Sequence, residues 1–288
     1  MLYVVATPIG NLGDMSPRAI KTLEEVDLIA AEDTRHSIKL LNHFDIHTPL
    51  TSLHEHNEQS KSQSLVRKMI EEGINIALIS DAGTPAISDP GALFVKAATQ
   101  AGIETLTIPG PSAAIAALSI SGFNQPSFTF YGFLPRDSKS LREKLKSMGG
   151  KDELAIIHES PFRVKKLLQT ILESLGDLPL SLSCDLSKLH ELTIRGTVSR
   201  VLEAFKANDK AEKGEYVVVV DLSETKKDME AAREDIALEA RLLSILLQGR
   251  DMQQAMKELI NDGERKNAVY AASLHLKSLL RDDCPHLS

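Results

Sequence analysis

The residues best suited to chemistry stand in loops that directly follow short apolar runs. Thr7-Pro8-Ile9-Gly10-Asn11 follows the run at residues 2–6, and Ser80-Asp81-Ala82-Gly83-Thr84-Pro85 follows residues 76–79. Pro109-Gly110-Pro111-Ser112-Ala113 follows residues 106–108, and His158-Glu159-Ser160-Pro161-Phe162-Arg163 follows residues 154–157. Turn geometry accounts for any one such loop, because Gly and Pro punctuate turns everywhere. Together they predict a cleft lined by backbone, since ligands of open parallel sheets bind outside the carboxyl ends of the strands. Ser112 and Ala113 open a helical pattern whose free N–H groups suit a carboxylate or phosphate. Asp81, beside Gly83, suits a ribose hydroxyl or an ammonium group, or caps the following turn.

Further segments are dense in reactive side chains. Ala31-Glu32-Asp33-Thr34-Arg35-His36 offers adjacent acids and a guanidinium, for a substrate or for a solvated helix start. His54-Glu55-His56-Asn57 has metal-ligand residue types, but histidines two apart on a strand face opposite ways. A polar loop is therefore expected there, and no metal is assigned. The chain has no G-x-G-x-x-G, no P-loop pattern and no H-E-x-x-H, which disfavours the usual dinucleotide site, a P-loop NTPase and a zincin. It also lacks the G-x-S-x-G elbow.

The elements that must position these loops alternate. Residues 2–6, 76–79 and 106–108 read as buried strands, with helical patterns at 65–72 and 92–101 closed by Gly73 and Gly102. Ser16-Pro17 has the form of an N-cap followed by Pro at the first helical position. Strand, helix, strand in sequence predicts crossover units and a mostly parallel sheet. A second series of strands lies at 128–133, 154–157, 180–184 and 216–220, with a helix at 164–175 that Ser160-Pro161 introduces. Helices are expected at 236–247, 252–261 and 266–280. The expected divisions are residues 1–122, 123–225 and 226–288.

The chain has 288 residues, of which 42% are hydrophobic and 25% charged, as in soluble globular proteins. Cys184 and Cys284 are its only cysteines, so a disulfide framework is excluded. No stretch approaches the roughly 20 apolar residues that span a bilayer, and Pro8 and Gly10 cut the first apolar run short; a cytoplasmic protein without membrane contact is expected. With no Trp and 4% aromatics, a base-stacking platform of the single-strand-binding type is disfavoured. Lys+Arg total 33 and Asp+Glu 40, a net charge of −7, which excludes a uniformly basic coat. The charge is uneven: residues 221–239 hold seven acids against three bases, and 136–151 (RDSKSLREKLKSMGGK) six bases against two acids. Neutralising an RNA backbone needs only local charge, so Arg136, Lys139, Arg142 and Lys144 are candidate RNA contacts.

In this order the segments resemble the bacterial 16S rRNA cytidine 2′-O-ribose methyltransferases, a family within the tetrapyrrole-methylase-like S-adenosylmethionine enzymes. The resemblance rests on residues 7–14 (TPIGNLGD) with Pro17-Arg18-Ala19, Glu32-Asp33-Thr34-Arg35, His54-Glu55-His56-Asn57 and 80–91 (SDAGTPAISDPG). It continues through 109–113 (PGPSA), 132–135 (GFLP), 159–163 (ESPFR) and Lys266-Asn267 with Tyr270. The SDAGTPAISDPG block is the most specific. The resemblance implies an α/β fold: two α/β domains, a mostly parallel sheet in the first, and a small C-terminal helical region. It implies S-adenosylmethionine in the cleft between the domains, near Pro8, Gly10, Asp81, Ala82, Gly83, Ser112, Ala113, His158, Glu159 and Ser160. The implied substrate is a cytidine ribose in the decoding region of 16S rRNA in the small ribosomal subunit, and the family is commonly dimeric. Three segments depart from the family pattern. Cys184-Asp185-Leu186-Ser187-Lys188 stands where Arg-Glu-Leu-Thr-Lys is frequent, Phe162 where a His is usual, and Leu53 where an aromatic is frequent.

Methylating a ribose hydroxyl requires alignment of oxygen, methyl and sulfur, and help in removing the hydroxyl proton. Glu32 or His54 is the expected proton acceptor. Arg35, Arg163 and Lys188 are the expected phosphate or alkoxide partners. The alternatives are a tetrapyrrole- or diphthamide-type methyltransferase, and a non-catalytic module that only binds the cofactor.

Overall fold

The computed structural model describes residues 1–208, 213–225 and 238–283. Met1–Thr225 cluster into one compact unit that contains two five-stranded sheets. The first sheet is built from β1 (Leu2–Val5), β2 (Leu28–Ala31), β3 (Leu50–Ser52), β4 (Ile76–Ile79) and β5 (Thr105–Ile108) in the order β3-β2-β4-β1-β5. All of its pairings are parallel. The crossovers carry α1 (Pro17–Glu25), α2 (Thr34–His43), α3 (Glu58–Glu72) and α4 (Ala92–Gln100), followed by α5 (Ala113–Ser121). Ser16 caps α1 by accepting from the Ala19 N–H at 3.1 Å, with Pro17 as the first helical residue. Ala19, Thr22 and Leu23 then face inward at helical spacing. β4 is buried along its whole length because helices cover both faces of the sheet. That is why it reads as an unbroken apolar run rather than an alternation.

The second sheet is mixed. β6 (Phe128–Phe133), β7 (Leu154–Glu159), β8 (Pro179–Cys184), β9 (Leu192–Thr197) and β10 (Tyr216–Asp221) lie in the order β6-β7-β10-β8-β9. Only β6 and β7 run parallel. The valine run of β10 lies at its centre. Tyr216, Val218 and Val220 pack into the core formed with α6 (Ser138–Met148), α7 (Pro161–Leu175) and α8 (Val198–Lys206), while Val217 and Val219 face α5. Each such buried side chain contributes about 1.5–3 kcal/mol of transfer free energy. α5 therefore follows the first sheet in the chain but packs on the second, through Ala114 and Ala117.

Three strands carry little hydropathy signal. β2 (LIAA) is short, β3 has three residues, and β9 is an edge strand interrupted by Arg195 and Gly196. The second unit comprises α9 (Leu238–Leu247), α10 (Met252–Asn261) and α11 (Lys266–Asp283) around Leu242, Ala255, Leu259, Val269, Ala272 and Leu276. A reciprocal capping box between Asp251 and Gln254 starts α10. Most of the acidic run 221–239 and Cys284 lie outside the described residues. The architecture is the implied one: two α/β sheets, the first parallel, with helices at the C-terminus.

Candidate active-site cavity

Because β1, β2, β4 and β5 run parallel, the loops that follow them emerge on one edge. They are stitched together there. Thr7 and Gly83 exchange main-chain hydrogen bonds of 2.9 and 3.1 Å, and the Thr7 hydroxyl donates to the Ser80 carbonyl at 3.2 Å. The Thr84 hydroxyl donates to the Pro111 carbonyl at 3.3 Å. Gly83 has φ +83°, and a Cβ there would meet Ile9 and the Pro111 carbonyl only at ordinary contact distance. Backbone conformation, rather than lack of space, thus favours glycine.

A cavity of about 340 Å³ lies between this edge and the second sheet, within the range of small-molecule sites. One wall holds Ile9, Ala82, Gly83, Thr84, Ile87, Ser88, Asp89 and the start of α5 at Ser112, Ala113 and Ala114. The other holds Phe130, Phe133, His158, Glu159, Ser160, Pro161, Leu186, Glu215, Tyr216 and Val217. Ser112 makes no side-chain capping bond, so the first N–H groups of α5 have no side-chain acceptor at the cavity wall. A second cavity of about 440 Å³ shares Ile9, Ser112 and Leu186 and extends to Ser187 and Glu191.

The His158 ring sits edge-on to Phe130 and Phe133, with centroids 5.0 and 5.7 Å away. Its Nε2 is buried without a partner. Burial pushes its pKa below the usual value, against the opposing pull of Glu215, so the imidazole is neutral at neutral pH. Glu159 is buried, and its Oε1 accepts from the Ser160 N–H at 2.7 Å. Arg163 stands 3.2 Å from Glu159 Oε2 and donates to the Leu134 and Pro135 carbonyls at 3.1 and 3.0 Å. Arg163 thus ties the GFLP segment to α7.

Acids gather at the ends of β2 and β4. The Asp33 N–H donates to Asp81 Oδ1 at 3.2 Å. Burial raises the Glu32 carboxyl, and the charges of Asp89 and Asp81 raise it further. Burial, then Asp81, likewise raises Asp89, which lines the cavity. Asp33 is instead held well below the carboxylate range by its hydrogen bonds with Arg35, 2.7 Å away.

Of the cofactor residues named from sequence, Ala82, Gly83, Ser112, Ala113, His158, Glu159 and Ser160 line the cavity. Pro8, Gly10 and Asp81 stand outside its lining but in the loops that build it. Arg35 is exposed and occupied with Asp33. His54 begins a turn that Asn57 closes by accepting from the His54 N–H at 2.9 Å, away from the cavity lining. Among the described residues no group of three or more His, Cys, Asp or Glu is placed to hold a metal ion. Lys188 bonds Asp185 and Glu215 at 3.0 and 3.1 Å and lies over Gly10, where a Cβ would stand 2.4 Å from its Cγ. Burial opposes its charge, but these two carboxylates hold its pKa above the ordinary value.

Arg136, just before α6, and Lys139, Arg142, Lys144 and Lys146 along it are exposed, while its Leu141, Leu145 and Met148 face the core. Arg142 pairs with Glu173 at 3.3 Å, and Lys144 lies 5.1 Å from the centroid of the Tyr131 ring.

The sequence reading missed Glu215, Tyr216 and Val217. β10 runs antiparallel to β7, with Tyr216 opposite Glu159 and Val217 opposite His158, so it presents its first residues to the cavity. A search of the loops after strands does not reach them. The signal was the unbroken valine run, which marks a central strand.

Residues 1–202 match the family model of tetrapyrrole (corrin/porphyrin) methylases. The chain is 42% identical over 280 residues to the ribosomal RNA small subunit methyltransferase I of Synechocystis sp., covering 96% of this chain and 99% of that one. It is 40% identical over 280 residues to the protein of the same name from Bacillus subtilis, covering 96% and 94%. The solved uroporphyrin-III C-methyltransferase of Thermus thermophilus shares the fold, with a TM-score of 0.51 at 18% identity over 79% of this chain and 97% of that one. No helix among the described residues is long and apolar enough to cross a membrane. By the extent of these matches, the chain belongs to the tetrapyrrole methylase family and, within it, to the ribosomal RNA small subunit methyltransferase I group.

Proposed function

We propose that this chain transfers a methyl group from S-adenosylmethionine to the ribose 2′-hydroxyl of a cytidine in the decoding region of 16S rRNA. The observation that carries the reading is the cavity itself, lined by the loops of the first sheet and by the second sheet, with the basic helix α6 beginning five residues after the cavity-lining Phe133. The small ribosomal subunit as substrate, a homodimer and a cytoplasmic setting belong to the same reading.

The residues present fit the cofactor. The apolar surfaces of Ile9, Phe130, Leu186 and Val217 suit a purine, and the orphaned His158 Nε2 is a buried group in want of a hydrogen-bond partner. The open N-terminus of α5 suits a carboxylate. Asp89 and Glu215 favour a cationic sulfonium or ammonium group. When bound, the cofactor supplies an electrophilic methyl group. Glu32 accepts the hydroxyl proton at its carboxylate, whose raised pKa makes it a stronger base than an exposed glutamate. Lys188 holds Glu215 and the Gly10 loop in place. Lys139, Arg142 and Lys144 neutralise backbone phosphates.

The test incubates the full chain with methyl-labelled S-adenosylmethionine and small ribosomal subunits that lack the mark. Label on a 16S rRNA ribose is expected. Lys139→Glu with Lys146→Glu should weaken subunit binding by about tenfold or more at low salt while cofactor affinity holds. Cofactor binding without label on RNA overturns the reading, and label on a tetrapyrrole or a protein instead replaces the substrate class.

A further inference from the structure

We propose that Phe133 and Ile87 form a clamp at the cavity mouth that holds the base of the target nucleotide while its ribose is presented below. The inference rests on the RNA reading above and names residues that position its substrate.

Both side chains line the cavity, yet Phe133 is 60% and Ile87 54% exposed. The fold takes trouble to place each of them. Pairing β6 with β7 matches Phe130 to Ile156, but the register then shifts, so that Gly132 meets Ile157 and Phe133 meets His158. A strand without that bulge would turn Phe133 to the face opposite Phe130. The extra residue, Tyr131, is pinned on the other face: its hydroxyl donates to Glu153 at 3.0 Å and accepts from Lys151 at 2.9 Å. The bulge therefore delivers Phe133 to the cavity side, where its ring packs edge-on against His158.

Across the mouth, Ile87 stands between Ala86 and Ser88, both with φ of 65°. This left-handed conformation is costly for residues other than glycine, and such strain concentrates at functional sites. The two lips meet closely, since a Cβ on Gly132 (φ +61°) would stand 2.9 Å from Ser88 Oγ. A ring and a branched alkyl group thus flank one opening.

Substrate chemistry follows from the surroundings. The basic side chains Arg136 and Lys139 begin three residues beyond Phe133 and are exposed, which suits a polyanion whose bases are flat and apolar on their faces. An enzyme that acts inside a pocket on a stacked nucleotide must take it out of its stack. A single aromatic ring offers it a new stacking partner. The scarcity of aromatics argues against a multi-ring platform and leaves room for one ring at this place.

The test measures methylation of mark-free small subunits by the wild-type chain and by Phe133→Ala, Phe133→Leu, Phe133→Tyr and Ile87→Ala, with cofactor affinity, melting temperature and oligomeric state recorded for each. Phe133→Ala should lower kcat/KM by about 10- to 100-fold, the range of one lost base–aromatic stack. Phe133→Leu should behave like the alanine variant, Phe133→Tyr should stay within about threefold of wild type, and Ile87→Ala should fall about threefold to tenfold. Cofactor affinity should be unchanged throughout. The clamp is overturned if the leucine variant works as well as the tyrosine variant, if activity is unaffected, if cofactor affinity falls in parallel, or if Phe133→Ala dissociates a dimer. A wild-type chain that labels no subunit defeats the RNA reading itself, an outcome separate from any of these.

Discussion

The two sheets of the first unit line one cavity in opposite ways. The parallel sheet contributes main chain and acid: glycine- and proline-rich loops at strand ends, with Asp89 in the lining and Glu32 and Asp81, outside the lining, in electrostatic reach of one another. The mixed sheet contributes packed side chains: a neutral His158, a buried Glu159 tied to Arg163, and the start of β10. Parallel strands all end on one edge, so the first sheet can spend its loops on a ligand. Antiparallel strands bring starts and ends to the same edge, so the second sheet must fix its edge with side-chain contacts. Chemistry is thus expected on the first side and rigidity on the second.

The largest effect should come from the acid on the parallel side. Glu32→Gln keeps the shape of the side chain and removes the proton acceptor. Methyl transfer should fall about 10²- to 10⁴-fold, the usual contribution of a positioned general base. Cofactor affinity and folding should hold, as read by titration and thermal melting. If turnover is unchanged, the acids at that edge are electrostatic background, and the division between the sheets loses its catalytic half.

The next largest effect should come from the mixed side and be one of stability. Glu159 is 2% exposed, with Arg163 at 3.2 Å. Arg163→Met leaves that carboxylate buried without a counter-charge and frees the Leu134 and Pro135 carbonyls. Breaking a buried pair from one side costs about 3 kcal/mol or more, or about 6–12 °C of melting temperature in a unit of this size. Adding Glu159→Gln should recover part of the loss. Loss of RNA affinity at unchanged stability would instead give Arg163 the phosphate contact read from its sequence.

The contrast also explains what could be read from sequence. The Ser16-Pro17 start, Gly73 and Gly102 at the ends of α3 and α4, and the loops after β1, β4 and β5 are local, because caps and turns are written in neighbouring residues. So the main-chain half of the cavity was legible. The side-chain half depends on register. That Val217 lies opposite His158, that a bulge turns Phe133 inward, and that Arg163 points to carbonyls some 30 residues earlier are facts of pairing. No periodicity in one strand encodes its partner. β3 and β9 stayed hidden because edge strands bury too little to need an apolar run.

The smallest effect should sharpen the electrostatic side of the comparison. Burial, then the charge of Asp81, holds the Asp89 carboxyl above its ordinary value. Between the unfolded and folded pKa values the folded chain binds more protons than the unfolded one, so stability falls as pH rises through that window. The penalty is complete above the folded value and absent below the unfolded one. Asp89→Asn removes it, so the variant should melt above wild type at neutral pH, and the gain should vanish as pH falls below the ordinary carboxylate range. Asp89 is only about half buried, so solvent screening limits the gain to about 1 kcal/mol, or no more than about 4 °C. A variant that melts lower at neutral pH would show that the carboxylate makes contacts worth more than its repulsion. Gain in stability with loss of cofactor affinity would instead mark the trade expected of a group kept for binding.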